Sequence, residues 1–123
     1  MFRRCTSLTE PPVIAMIDLK AGKQYQMNSM FEDCTSLTHS PVLRSQVLRS
    51  YCYDSMFKNC SSLMTITALF KTSPSTSYTK DWVNGVPMQT GNPGTYYKNP
   101  SATYTTRGFY AIPTYWHVED YTE

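Results

Sequence analysis

An eight-residue motif returns three times in the first half of this chain, and no feature restricts its fold more. Met1-Phe2-Arg3-Arg4-Cys5-Thr6-Ser7-Leu8 is matched by Met30-Phe31-Glu32-Asp33-Cys34-Thr35-Ser36-Leu37 and by Met56-Phe57-Lys58-Asn59-Cys60-Ser61-Ser62-Leu63. The shared pattern is M-F-x-x-C-[ST]-S-L, with spacings of 29 and 26 residues. A unit of this length cannot bury its own apolar face. Stacked units bury a shared core, and each motif position becomes a ladder running up the stack. Met30 with Met56, Phe31 with Phe57, Cys34 with Cys60 and Leu37 with Leu63 are therefore expected to point inward. The residues between them (Glu32, Asp33, Lys58, Asn59) are polar and belong at the solvent side.

The match extends beyond the motif. Tyr25, Asn28 and Ser29 align with Tyr51, Asp54 and Ser55, and Pro12-Val13-Ile14 aligns with Pro41-Val42-Leu43. The longer first unit reads as a loop insertion around Asp18 to Lys23. Val47, Leu48, Tyr51, Cys52, Ser55 and Met56 follow helical spacing, which predicts a helix over 45–57. Residues 37–43 read as extended, and the alternation over 63–69 predicts a short strand. The expected architecture is a right-handed leucine-rich-repeat-like solenoid over 1–70, about three rungs deep, each with one helix and one short strand.

Composition changes after residue 70. From Lys71 onward the chain carries seven of its ten tyrosines, both tryptophans and five of its eight prolines. Residues 71–123 are expected to form an aromatic-rich β cap over the last rung, because an uncovered solenoid end exposes core and sheet edge. Asn84-Gly85 reads as a hairpin turn, and two β-prone runs flank Asn99-Pro100. A second turn is read at 91–94. Tyr96, Tyr97, Tyr104, Tyr110 and Trp116 are candidate ligand-contact residues, since Tyr and Trp are efficient at binding surfaces. The competing use of the same rings is to fill the core of a cap that lacks leucine.

The run Y-x-x-x-S-M-F-x-x-C-[ST]-S-L, at Tyr25 to Leu37 and in register with the third copy at Tyr51 to Leu63, resembles the repeat of the BspA-like leucine-rich-repeat surface proteins of bacteria. The ending around Trp82, Gly94-Thr95-Tyr96-Tyr97 and Trp116 resembles that of gut-bacterial and phage-associated proteins of this repeat group. The resemblance implies extracellular or cell-surface display and binding or adhesion, with no catalytic motif to carry over. The alternative it leaves is a phage virion component, a tail or head fibre, that uses the repeat for assembly or host attachment.

The remaining chemistry is sparse. A net charge of +2 is too balanced for an electrostatic nucleic-acid binder, and no apolar run is long enough for a membrane span. Cys5, Cys34 and Cys60 stand a repeat apart with no C-x-x-C, which is poor zinc spacing and suits buried thiols. A disulfide from Cys52 to Cys34 or Cys60 is the open exception. His39 and His117 have no visible nucleophile beside them, and no phosphate-binding or nucleophile-elbow motif occurs. The expectation is a non-enzymatic protein without cofactor that binds a protein or glycan. The first motif lacks the approach that precedes the other two, so Phe2, Cys5 and Leu8 are expected to need a cover. That cover would come from a larger parent chain or a second copy.

Overall fold

The computed structural model describes residues 2–10, 27–45, 47–88 and 94–122. Among these described residues the regular elements are four short strands: β1 (His39–Leu43), β2 (Thr65–Ala68), β3 (Thr95–Lys98) and β4 (His117–Asp120). They form one sheet in the order β1-β2-β3-β4, and every pairing is parallel. Parallel neighbours need a crossover between them, and the chain makes one full coil between each pair. At β1 the Ser40-Pro41 step shifts the register between His39 and Val42. Ser40 Oγ accepts the Thr67 amide at 2.9 Å there, beside a proline that has no amide of its own.

The expected helix in each unit is absent: among the described residues there is none. The backbone hydrogen bonds explain why. In 51–60 the amides of Tyr51, Tyr53, Ser55, Phe57 and Asn59 donate to the next coil, to the carbonyls of Ser77, Tyr78, Lys80, Trp82 and Asn84, at 2.7–3.1 Å. The alternate amides of Cys52, Asp54, Met56, Lys58 and Cys60 close tight turns onto the carbonyl three residues back. An α-helix would direct all of them to the residue four back. Half of the amides instead point along the stacking axis, so this side of the coil is a second inter-rung ladder opposite in character to the sheet.

That geometry needs left-handed residues at intervals of four: Tyr51 (φ 54°), Ser55 (φ 56°) and Asn59 (φ 63°). Buried Leu48, Cys52, Met56 and Cys60 share the interval. A four-residue repeat of apolar positions is close to the 3.6 of a helix, and this produced the helical spacing in the sequence. The left-handed positions stack as well. Arg4, Asp33, Asn59 and Gly85 form one column and Ser29, Ser55 and Asp81 another.

These columns expose a fourth copy of the unit at 81–86. Asp81-Trp82-Val83-Asn84-Gly85-Val86 occupies the places of Ser55-Met56-Phe57-Lys58-Asn59-Cys60, 26 residues on. The Asn59 amide donates to the Asn84 carbonyl at 2.7 Å, as the Asp33 amide does to Lys58 at 2.8 Å. Asn84-Gly85 is thus the left-handed corner of a rung and not the turn of a hairpin. Likewise 95–98 and 117–120 are parallel rungs of the same sheet, so the hairpins expected in this half do not form. The turn expected at 91–94 lies outside the described residues except for Gly94, as does the insertion around 18–23.

The core runs through all rungs without a break. Phe2, Phe31 and Phe57 stack with centroids 5.5 and 5.8 Å apart and planes within 9° and 1° of parallel. Trp82 continues the column 5.9 Å from Phe57 and meets Tyr96 edge-on at 6.4 Å. Met30, Phe31, Cys34, Leu37, Met56, Phe57, Cys60 and Leu63 are all buried. From the sheet, Ile66 and Tyr96 close the core in one register row, with Val118 packed at its edge.

Candidate binding surface

Strand alternation sends Ile66, Tyr96 and Val118 to the core and leaves the neighbouring rows on the outer face. One row is His39, Thr65, Thr95 and His117, and the next is Val42, Thr67, Tyr97 and Glu119. Adjacent parallel strands lie about 4.8 Å apart, so hydroxyl and imidazole groups repeat at that interval across a surface four strands wide. Thr67, Tyr97, Tyr121 and Thr122 line a shallow cleft of about 320 Å³ on this face. The Tyr121 amide donates to the Lys98 carbonyl at 2.8 Å, which carries the chain past β4 and holds Tyr121 against the face. At the strand ends Lys98 Nζ pairs with Asp120 at 2.8 Å, a contact that is half solvated and worth little stability.

The five aromatic residues singled out in the sequence divide between core and surface. Tyr96, Tyr104 and Trp116 are buried. The Tyr96 and Tyr104 hydroxyls bond each other at 2.9 Å inside the core. Burial pushes Tyr104 up to about 12 and Tyr96 well above the ordinary tyrosine value, so both stay neutral donors and acceptors. Trp116 donates its indole N–H to the Pro87 carbonyl at 2.7 Å, and its ring lies over Gly94. A Cβ on Gly94 would stand 2.6 Å from both that ring and the Met64 carbonyl, which is why glycine is required there. Only Tyr97 and Tyr110 of the five are partly exposed, Tyr97 on the sheet and Tyr110 away from it.

The cysteines are all free; Cys34, Cys52 and Cys60 are buried, whereas Cys5, expected as a buried thiol of the same ladder, is exposed on the first rung. Cys34 donates its thiol to the Phe2 carbonyl at 2.9 Å and Cys60 donates to Phe31 at 3.0 Å, the same bond one rung on. Val86 takes the place of the next cysteine and ends that series. Burial raises the Cys34 thiol, pushes Cys52 to about 11 and Cys60 to about 12. The thiolate is the nucleophile and the metal ligand, so these three groups are chemically quiet at neutral pH. Among the described residues no three His, Cys, Asp or Glu side chains gather to hold a metal, and no helix is long and apolar enough to cross a membrane. The His39 ring meets its neighbour Thr38 Oγ1 through Nδ1 at 3.2 Å.

Sequence reasoning passed over Thr65 and Thr95 on the outer face, and Thr67, which is buried beneath its neighbours there. The signal that would have found them is the spacing of the strands themselves, which aligns them once 95–98 is recognised as a parallel rung. Comparison with protein-family models, curated proteins and solved structures finds no match for the chain.

Proposed function

We propose that this protein is a non-enzymatic binding and adhesion module displayed at a cell surface, which holds a protein or glycan ligand against the outer face of its sheet. The observation that supports it best is the in-register display of Thr65, Thr95, Tyr97 and the two histidines on one face of the sheet. The backbone fixes these side chains before a ligand arrives. Pre-ordered contact groups lose little entropy on binding, and a tyrosine flanked by hydroxyls offers both apolar area and hydrogen bonds. The quiet thiols fit the same role, because an exposed module gains from having no reactive sulfur in its core.

The full chain applied to a printed glycan array and to immobilised mucin tests this reading. A retained ligand should be lost at least tenfold on Tyr97→Ser or Thr95→Lys, with the urea midpoint unchanged for Tyr97→Ser. Retention that is indifferent to every substitution on the outer face would overturn the assignment of that face.

A further inference from the structure

Among the places where the fourth rung departs from the repeat, one lies on its surface beside a cleft. Positions 80 and 81 correspond to Asp54 and Ser55 of the third rung, where Ser55 Oγ bonds the Asp54 carboxylate at 3.0 Å. The fourth rung puts Lys80 and Asp81 there instead. Among the described residues no hydrogen bond or ion pair engages the Lys80 ammonium or the Asp81 carboxylate. Both line a cleft of about 430 Å³ together with Thr76, Thr114 and the 108–110 loop, and none of these residues belongs to the sheet.

Phe109 from that loop lines the cleft while 51% exposed, one of the few large apolar side chains left in solvent. Its position is nonetheless fixed. The Phe109 carbonyl accepts the Val83 amide at 3.2 Å, the Thr79 hydroxyl donates to the Tyr110 carbonyl, and Trp82 Nε1 donates to the Ala111 carbonyl at 2.9 Å. Three successive carbonyls are thus tied to the fourth rung. Gly108, at φ 133°, adds no side chain where the loop turns, so the wall beside Phe109 stays open. A ring held open to water by a fixed backbone is pre-organised to receive something.

The lining selects the occupant. One cation and one anion at adjacent positions cancel, so neither a strongly anionic nor a strongly cationic ligand is favoured. Phe109 offers an apolar face, Asp81 accepts hydrogen bonds, Lys80 donates them, and the threonine hydroxyls do both. A pyranose ring matches this set: it has an apolar C–H face for the aromatic ring and neutral hydroxyls around its rim. Resting on the reading of the chain as a binding module, we infer that the cleft between the fourth rung and the 108–110 loop is a binding site for one hexose unit of a neutral glycan.

The full chain, labelled with nitrogen-15, is titrated with the methyl glycosides of glucose, galactose, mannose and N-acetylglucosamine. The inference expects saturable millimolar binding of at least one, with the largest amide shifts at Gly108, Phe109 and Tyr110. Phe109→Ala and Asp81→Asn should each weaken it at least tenfold. Both should keep the urea midpoint, because Phe109 is half exposed and asparagine tolerates the left-handed backbone at 81. Three outcomes would overturn the site. No glycoside shifts the loop, both variants bind as well as the parent, or free phenylalanine saturates the cleft where sugars do not. Binding that survives Phe109→Ala but is lost on Tyr97→Ser would reject this cleft and leave the sheet face as the ligand site.

Discussion

Gly85→Ala tests the stacked corner at the join between the repeat and the aromatic half. Gly85 has φ 89°, where an L side chain costs about 1–2 kcal/mol. A Cβ there would also stand 2.6 Å from Asn59 Oδ1, 2.9 Å from Asn59 Cα and 3.0 Å from its amide nitrogen. The side-chain oxygen can swing away, but the backbone atoms cannot. Relief requires the two rungs to part, and the bond from the Asn59 amide to Asn84, 2.7 Å long, lies at that point. Its loss adds about 1 kcal/mol. The smaller entropy of alanine in the unfolded chain returns about 0.4–1 kcal/mol. The net cost should be about 2 kcal/mol. Urea unfolding followed through the fluorescence of Trp82, which is fully buried beside Phe57, measures it. Asn59→Gly in the same chain should recover only part, since it removes the oxygen and leaves Cα in place. A cost below about 0.5 kcal/mol would refute the stacked corner and return Asn84-Gly85 to an independent turn.

Phe57→Ala, in the middle of the aromatic column, should cost about 3–5 kcal/mol by urea unfolding, a large share of the 5–15 kcal/mol typical of a domain; a cost under 1 kcal/mol would show that the column is not packed. Stability should fall above pH 9. Cys60, Cys52, Tyr96 and Tyr104 all have raised values in the folded state, so above the unfolded value of each group the unfolded chain holds fewer protons. Each such group then removes up to about 1.4 kcal/mol per pH unit until its folded value is reached; a urea midpoint that is flat from pH 8.5 to 11 would contradict this burial.

The motif identified the core because its identities are the inward residues. Met, Phe, Cys and Leu recur where the ladders need them, and the extended runs before Leu43 and Leu69 mark β1 and β2. The helix was misread for a definite reason. Apolar residues at intervals of four look helical, and nothing in the identity of Tyr51 or Ser55 announces a positive φ. Asn59 and Asp33 did carry that signal, since asparagine and aspartate are the residues most often found there. The fourth copy escaped notice because it keeps the apolar character and changes every name. Met, Phe and Cys became Trp82, Val83 and Val86, and the corner became glycine. Of the surface aromatics, composition marked the right half of the chain but could not separate Tyr96, paired in the core with Tyr104, from Tyr97 one residue on. Register settles that, and register depends on recognising residues 95–98 as a parallel rung.

The alternating amides bear on how the molecule carries load. A pull along the stacking axis acts on both sides of each coil at once, because the sheet bonds on one side and the Tyr51-to-Asn59 ladder on the other run in the same direction. Neither side is a hinge about which the other can peel. A coil therefore leaves the stack as a whole, releasing the 22 to 30 residues between successive strands, or roughly 75–105 Å of extended chain, before the next one is strained. Such a stack is a series of extensible links of unequal length, 26, 30 and 22 residues from strand to strand by register, with the aromatic column running through its centre.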